Sequence, residues 1–358
     1  MKQDLVIRPK RSERRNAMKT FVTHHALFIL LTAYCLLPTL VKAQDINFSQ
    51  FPELPLLRNP ALAGLFQGDV KATAVFRNQW SSVTVPYKTR GLSVEANLIK
   101  NGNVMVAGGL QVLSDAAGDA RLSRTMVMAT GAIHVDLGTG YLAAGFSGGT
   151  VLQNFDNSGL RWDDQYVNGS YSPTNPTGQS FNGAFPTSRN YGDMAVGLTW
   201  STELENGMRL YVGGAGFHLS KPSRTFSNAQ DSGQVKWVAN GGLSIPHGDY
   251  NRVVFYTDVF TQGGARQFQG GLLYKFNFVQ EDADRDLGVN LSLGAFTRWG
   301  DAVIPMAKLE YYKLAVGLTY DVNVSKLNAY STGRGGFEVT AGYRYFNENK
   351  AGIKCPRF

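Results

Sequence analysis

Beyond position 43 the residues whose types could do acid–base or nucleophilic chemistry are few. The histidines there are His134, His218 and His247, and none stands in a pattern that pairs a nucleophile with a base and an orienting carboxylate. His134 and His218 fall in segments of strand-like alternation, as lumen-facing or girdle side chains, and His247 falls in a turn. Asp163-Asp164 and the run Glu281-Asp282-Ala283-Asp284-Arg285-Asp286 offer carboxylate oxygens, but the glycine and closing glutamate of a calcium loop are missing, so these acids read as solvated loop. Cys35 and Cys355 are the only cysteines, and no CxxC or His/Cys spacing suits a metal. A glycine-rich strand-to-helix turn to cradle phosphate is also missing. The expectation is therefore no catalysis, no metal and no cofactor.

The elements that would carry such residues are strands. Glycine occurs 40 times in 358 residues, above the usual ~7%, and disfavours long helices; 43% apolar and 17% charged residues exclude disorder. After the N-terminal region no apolar run reaches the ~18 residues of a membrane helix. The formal charge of +8 is local: residues 1–43 hold eight of the 35 Lys/Arg and two of the 27 Asp/Glu, leaving 27 bases against 25 acids. A nearly neutral body without a basic stripe is a poor partner for nucleic acid.

Residues 1–43 read as an N-terminal extension and a cleavable export signal. Ala26 to Val41 is apolar, preceded by Lys19, His24 and His25 and closed by Val41-Lys42-Ala43, so cleavage after Ala43 is expected. Translation from Met18 rather than Met1 gives a signal of conventional length. Arg14-Arg15 matches a twin-arginine signal poorly, and Tyr34 before Cys35 argues against lipidation. With Cys35 removed, Cys355 has no partner for a disulfide within the chain.

From 70 to 346 the pattern predicts an all-β chain: a transmembrane antiparallel up-and-down β-barrel of about 14 strands in the bacterial outer membrane. Segments of ~10 residues alternate apolar and polar side chains, as in Leu92, Val94, Ala96 and Leu98 against Ser93, Glu95 and Asn97, or Leu287 to Ala295 against Gly288, Asn290, Ser292 and Gly294. A soluble sandwich also alternates, but its strands are shorter, and here aromatics gather near segment ends. The fourteen expected strands span 70–77, 89–99, 103–114, 122–136, 140–153, 191–202, 207–220, 235–246, 252–262, 265–279, 287–298, 302–311, 313–323 and 335–346. With the first running outward, the long insertions, 154–190 above all, fall on the outer side and the periplasmic turns are short. A preceding segment, 44–69, is expected to be periplasmic or to plug the lumen, and 347–358 to form a periplasmic tail.

Short motifs lie around this pattern: Asn47-Phe48-Ser49-Gln50-Phe51, Arg58-Asn59-Pro60-Ala61-Leu62-Ala63-Gly64, Phe76-Arg77-Asn78-Gln79-Trp80, Gly333-Arg334-Gly335-Gly336-Phe337-Glu338 and Cys355-Pro356-Arg357-Phe358. In type, order and position they resemble the PorP/SprF family of type IX secretion-system membrane proteins, end to end over the chain without its leader. Pro52-Glu53-Leu54-Pro55 departs from the aromatic-rich stretch usual between the first two motifs. The resemblance implies a non-enzymatic outer-membrane barrel in an export and gliding machine. Its implied partners are lipid, secreted adhesin-type proteins bearing C-terminal signals, and periplasmic secretion-system or peptidoglycan-binding proteins. Pro60 is expected to hold Asn59 extended, so that Asn59, Pro60, Ala61 and Gly64 fix how the segment docks. Arg77, Asn78, Gln79 and Trp80 are expected to leave the first strand on the outer side, with Arg77 pairing inside the barrel and Trp80 anchoring at the interface, or merely to stabilise the rim. Arg334, Gly335, Gly336 and Phe337 are expected before the last strand, and Cys355, Pro356, Arg357 and Phe358 to form a basic periplasmic handle. The alternatives are a channel or transporter for small ligands, and an adhesin working through 154–190.

Overall fold

The computed structural model describes residues 45–81, 85–118, 121–156, 161–175, 187–223, 233–282, 287–326, 328–346 and 358. The leader, Cys355, Pro356 and Arg357 lie outside the described residues, as do the side chains of the acidic run 281–286 and parts of 154–190.

Fourteen antiparallel strands close into a barrel: β1 Val70–Gln79, β2 Tyr87–Asn101, β3 Val104–Ala117, β4 Leu122–Asp136, β5 Tyr141–Asn154, β6 Ser188–Glu203, β7 Arg209–Phe217, β8 Lys236–His247, β9 Asn251–Gln262, β10 Ala265–Asp282, β11 Leu287–Arg298, β12 Ala302–Tyr311, β13 Leu314–Asn323 and β14 Arg334–Tyr345. Closure is made by β1 against β14, with Val70 opposite Tyr345 and Gln79 opposite Gly336, so neither edge is left to pair with another chain. The strand count agrees with the alternation. One expected strand is shorter than its pattern: β7 ends at Phe217 because His218 takes φ 59°, which turns the chain off the sheet. Gly263 and Gly264, both with positive φ, make the two-residue turn between β9 and β10.

The alternation is inverted relative to a water-soluble barrel. On β2, Ser93, Glu95 and Asn97 are 2%, 2% and 3% exposed, whereas Leu92 and Leu98 are 50% and 57% exposed. Polar side chains thus face inward and apolar ones outward, the arrangement hydrocarbon demands, since each strand's backbone polar groups are satisfied by its neighbours. Trp237 and Phe337 sit near one set of strand ends, Phe278, Tyr311 and Tyr345 near the other, and all are exposed. Long connections lie at the end shared by Gln79 and Arg334, short turns at the end shared by Val70 and Tyr345.

Residues 45–69 run inside the barrel rather than in its wall. Three single-turn 3-10 helices, Phe51–Glu53, Pro55–Leu57 and Pro60–Leu62, each carry proline in the first turn, where its missing N–H costs nothing and its φ suits the turn. Asp45 lies at the long-loop end, its N–H donating to Gln262 Oε1 at 3.3 Å. Asp69 lies at the short-turn end, its N–H donating to Tyr345 O at 2.8 Å. Among the described residues, the apolar clusters inside are those the segment makes with the wall, such as Phe51 with Leu273, Phe296, Ile304 and Met306, and Leu56 and Ala63 with Ala107 and Ala132, apart from a small group of Ala215, Val238 and Phe260.

Candidate functional site

The seat of the 45–69 segment is where buried charge and hydrogen bonding concentrate. Asn59 is extended, φ −166°, as a residue before proline should be. Its Oδ1 accepts from Ala61 N–H at 2.9 Å, capping the Pro60–Leu62 turn, while its Nδ2 donates to Leu198 O and Thr199 Oγ1, each at 3.0 Å, and to Gly214 O at 3.2 Å. The wall beneath is bare of side chains: Gly145 on β5 and Gly197 on β6 are cross-strand partners. A Cβ on Gly197 would overlap Asn59 Oδ1, and one on Gly145 would overlap the Pro60–Ala61 peptide. Gly64, with φ +83°, turns the chain where any Cβ would lie 2.5 Å from Ala107 Cβ and Asn97 Oδ1. Ala63 O beside it meets His134 Nε2 at 2.7 Å, which gives the buried His134 its place on the lumen face.

Two motifs 260 residues apart meet at the closing seam. Arg77 stands opposite Glu338, Asn78 opposite Phe337 and Gln79 opposite Gly336, while Trp80 N–H donates to Gly335 O at 2.8 Å. Arg334 therefore opens β14, one residue ahead of the expected 335–346, and Asn78 and Gln79 extend β1 past the expected 70–77 rather than leave it. Trp80 alone leaves the strand, at φ 57°, packing on Tyr87 with ring centroids 4.8 Å apart. Gly335 and Gly336 leave room for neighbouring backbone, since a Cβ would fall 2.5 Å from Asp321 O or Asn78 O respectively. Arg77 points inward, Nη2 donating to Asp321 Oδ2 at 2.8 Å, with Nε 3.8 Å from Glu338 Oε2. Arg298 shares Asp321 at 3.2 Å.

This cluster holds the lumen segment. The Glu338 carboxylate accepts from the successive backbone N–H groups of Ser49 and Gln50, each at 2.8 Å, and Ser49 Oγ donates to Asp321 Oδ1. Gln50 Nε2 donates to Glu338 O at 3.0 Å and Oε1 accepts from Thr340 Oγ1 at 2.7 Å. Farther along, Arg58 makes a two-pronged pair with Asp258, Nε to Oδ2 at 2.8 Å and Nη2 to Oδ1 at 2.5 Å, and its guanidinium lies over the rings of Phe51, Tyr211 and Tyr256. Glu53 accepts from Lys308 Nζ at 2.6 Å. At the long-loop end Asp45 pairs with His218 Nε2 and with Arg124 Nη1, the latter at 3.2 Å, and His218 Nδ1 lies 2.6 Å from Asp193.

Burial works against charge on the segment's carboxyls, yet their partners win. His218, Lys236 and Arg124 hold Asp45 well below the usual carboxylate range, and Lys308 and Lys71 lower Glu53 although Glu310 opposes them. Burial likewise disfavours the Arg58 cation, but Asp258 raises its pKa above the ordinary value. Both nitrogens of His218 are taken by carboxylates, so it bridges charges rather than serving a hydroxyl as base. His247 ends β8 with Nδ1 2.8 Å from Tyr274 Oη, and the Asp163-Asp164 pair is exposed.

The motif residues of the segment and of the seam thus form one connected system, except for the tail motif, of which Phe358 alone is described: its ring stands against Tyr211 and Tyr256 in the lumen. Asp258, Asp321, Asp193, Lys308 and Thr340 escape sequence reasoning. Their one signal is charge or hydroxyl on the polar face of an alternating strand, which many residues share.

The chain is similar in fold to the toluene transporter TbuX of Ralstonia pickettii, at 11% identity over 81% of this chain and 93% of that one, TM-score 0.46. It is also similar to Omp33 of Acinetobacter baumannii, at 10% identity over 79% and 100%, TM-score 0.40, and to BamA of Haemophilus ducreyi lacking POTRA domains 1–3, at 10% identity over 77% and 70%, TM-score 0.37. No curated protein matches this chain. The family model described as type IX secretion system membrane protein PorP/SprF matches residues 40–343, spanning the lumen segment and nearly all the wall that holds it. This outer-membrane β-barrel therefore belongs to the PorP/SprF family of type IX secretion system membrane proteins.

Proposed function

We propose that this barrel is a non-enzymatic component of the type IX export and gliding machinery that supports export or surface anchoring of adhesin-type proteins and couples the outer membrane to peptidoglycan-associated partners in the periplasm. The observation that carries the reading is the family match over a barrel whose lumen is occupied by its own segment, tied by Glu338, Asp258 and Lys308. A barrel filled in this way suits a docking platform better than a pore, and its long-loop end suits contact with exported proteins. Deleting the gene and measuring surface and medium levels of proteins with adhesin-type C-terminal signals tests it. Loss of those proteins, restored by the intact gene, is expected; unchanged export and anchoring would overturn the reading. Crosslinking followed by recovery from membranes is expected to retrieve an exported adhesin or periplasmic machine components.

A second reading, a small-ligand channel, draws on an open cavity near the long-loop end, walled by Ile46, Leu56, Leu113, Met126, Met128 and Phe217 with Arg124 and Lys236 at its side. Ligand-dependent flux through the purified protein in planar bilayers favours that reading.

A further inference from the structure

Phe358 is the one described residue beyond position 346, and its ring lies inside the barrel near the short-turn end. It meets Tyr211 of β7 edge-on, centroids 4.5 Å apart at 89°, and Tyr256 of β9 at 5.6 Å and 68°. From β8, between them, Gly242 presents bare backbone: a Cβ there would stand 2.2 Å from Tyr211 Cε1, 2.6 Å from Phe358 Cζ and 2.8 Å from Phe358 Cε1. The Arg58 guanidinium lies over both tyrosine rings, and Pro52, Glu53 and Pro55 of the lumen segment line the same open cavity.

We propose that the short-turn end of the lumen contains a binding site for an aromatic side chain carried on a peptide, filled here by the chain's own Phe358. Three features select the ligand class. Phe358 stands in T-shaped contact with both tyrosine rings, an arrangement an aliphatic side chain does not match. The missing Cβ at 242 lets the rings of Tyr211 and Phe358 both come against the wall backbone. The open cavity that Phe358 lines together with Pro52, Glu53 and Pro55 is where the peptide backbone would lie. Because the same cavity is lined by the lumen segment, a ring in the site braces that segment from below.

The test uses the full protein purified in detergent, with and without Phe358→Ala, and a fluorescent peptide of residues 353–358 carrying Cys355→Ser. The peptide is expected to bind the Phe358→Ala protein at least tenfold more tightly than the wild type, whose site is filled. Binding should fall at least tenfold when the peptide carries Phe358→Ala, or when Gly242→Leu is added to the protein. No binding to the emptied protein, or equal binding by the peptide lacking the ring, would overturn the proposal. Should Phe358→Ala prevent folding, p-benzoylphenylalanine in place of Phe358 decides the matter in an otherwise unaltered chain: photolysis is expected to join position 358 to the strands carrying Tyr211, Gly242 or Tyr256. Crosslinks elsewhere would count against the site.

Discussion

Single side chains hold the lumen segment through charges that exist only because each has a partner. Arg58 and Asp258 are both buried, so Arg58→Met takes the paired cation from a buried carboxylate and is expected to cost about 3–5 kcal/mol, read from the urea midpoint of the detergent-solubilised barrel. Glu338→Gln is milder: an amide has one oxygen for two backbone donors, so either Ser49 or Gln50 N–H loses its acceptor, at about 1–3 kcal/mol. Acid should act on the same ties. Asp45 and Glu53 are depressed in the folded state, so their contribution is complete above the unfolded carboxyl value, ~4, and is lost as pH falls through the depressed values. Slow hydrogen exchange of the backbone amides of residues 45–69, corrected for the intrinsic pH dependence of exchange, is expected to persist at neutral pH and to be lost on acidification in this range.

At the scale of elements, the glycine pair between β5 and β6 does for docking what Pro60 does for the turn. Pro60 shapes the docking surface of Asn59-Pro60-Ala61, and Gly145 and Gly197 give it a floor. Gly197→Val on this floor should leave the wall paired, since valine favours strands, while expelling the segment. The expected outcome is retained heat-modifiable migration in gels together with new cleavage sites within 45–69. Normal protection in that variant would show that the close approach is dispensable. The β1–β14 seam is the second such element, because its register places Arg77 beside Glu338 and so makes barrel closure a condition for holding Ser49 and Gln50.

For the whole molecule, the consequence is a closed wall with an interior that is polar yet largely filled. Planar-bilayer recordings are expected to show little conductance for the intact protein and steady, larger conductance after deletion of residues 45–66, since a 14-strand wall without its filling encloses space beyond what its own side chains occupy. Equal conductance before and after deletion would mean that the segment does not seal the lumen. Conversely, export measured with the deletion separates the roles: a wall that still supports export without the segment acts from its rims.

The architecture was legible because lipid and a polar lumen write a period of two along every strand. Leu92 to Leu98 already announced outward leucines and inward Ser93, Glu95 and Asn97, and the turns bounded fourteen such runs. Pro60 announced the extended Asn59 from local sterics alone. What the chain order could not announce is which inward polar residue meets which: Arg77 and Asp321 are 244 positions apart, Arg58 and Asp258 200, and their meeting depends on strand register and on the path of a segment with no period of its own. Glycines are the clearest case. In sequence Gly145, Gly197 and Gly242 look like the many others, and only the closed barrel, by bringing Asn59, Pro60 and Phe358 against them, turns a missing side chain into a seat.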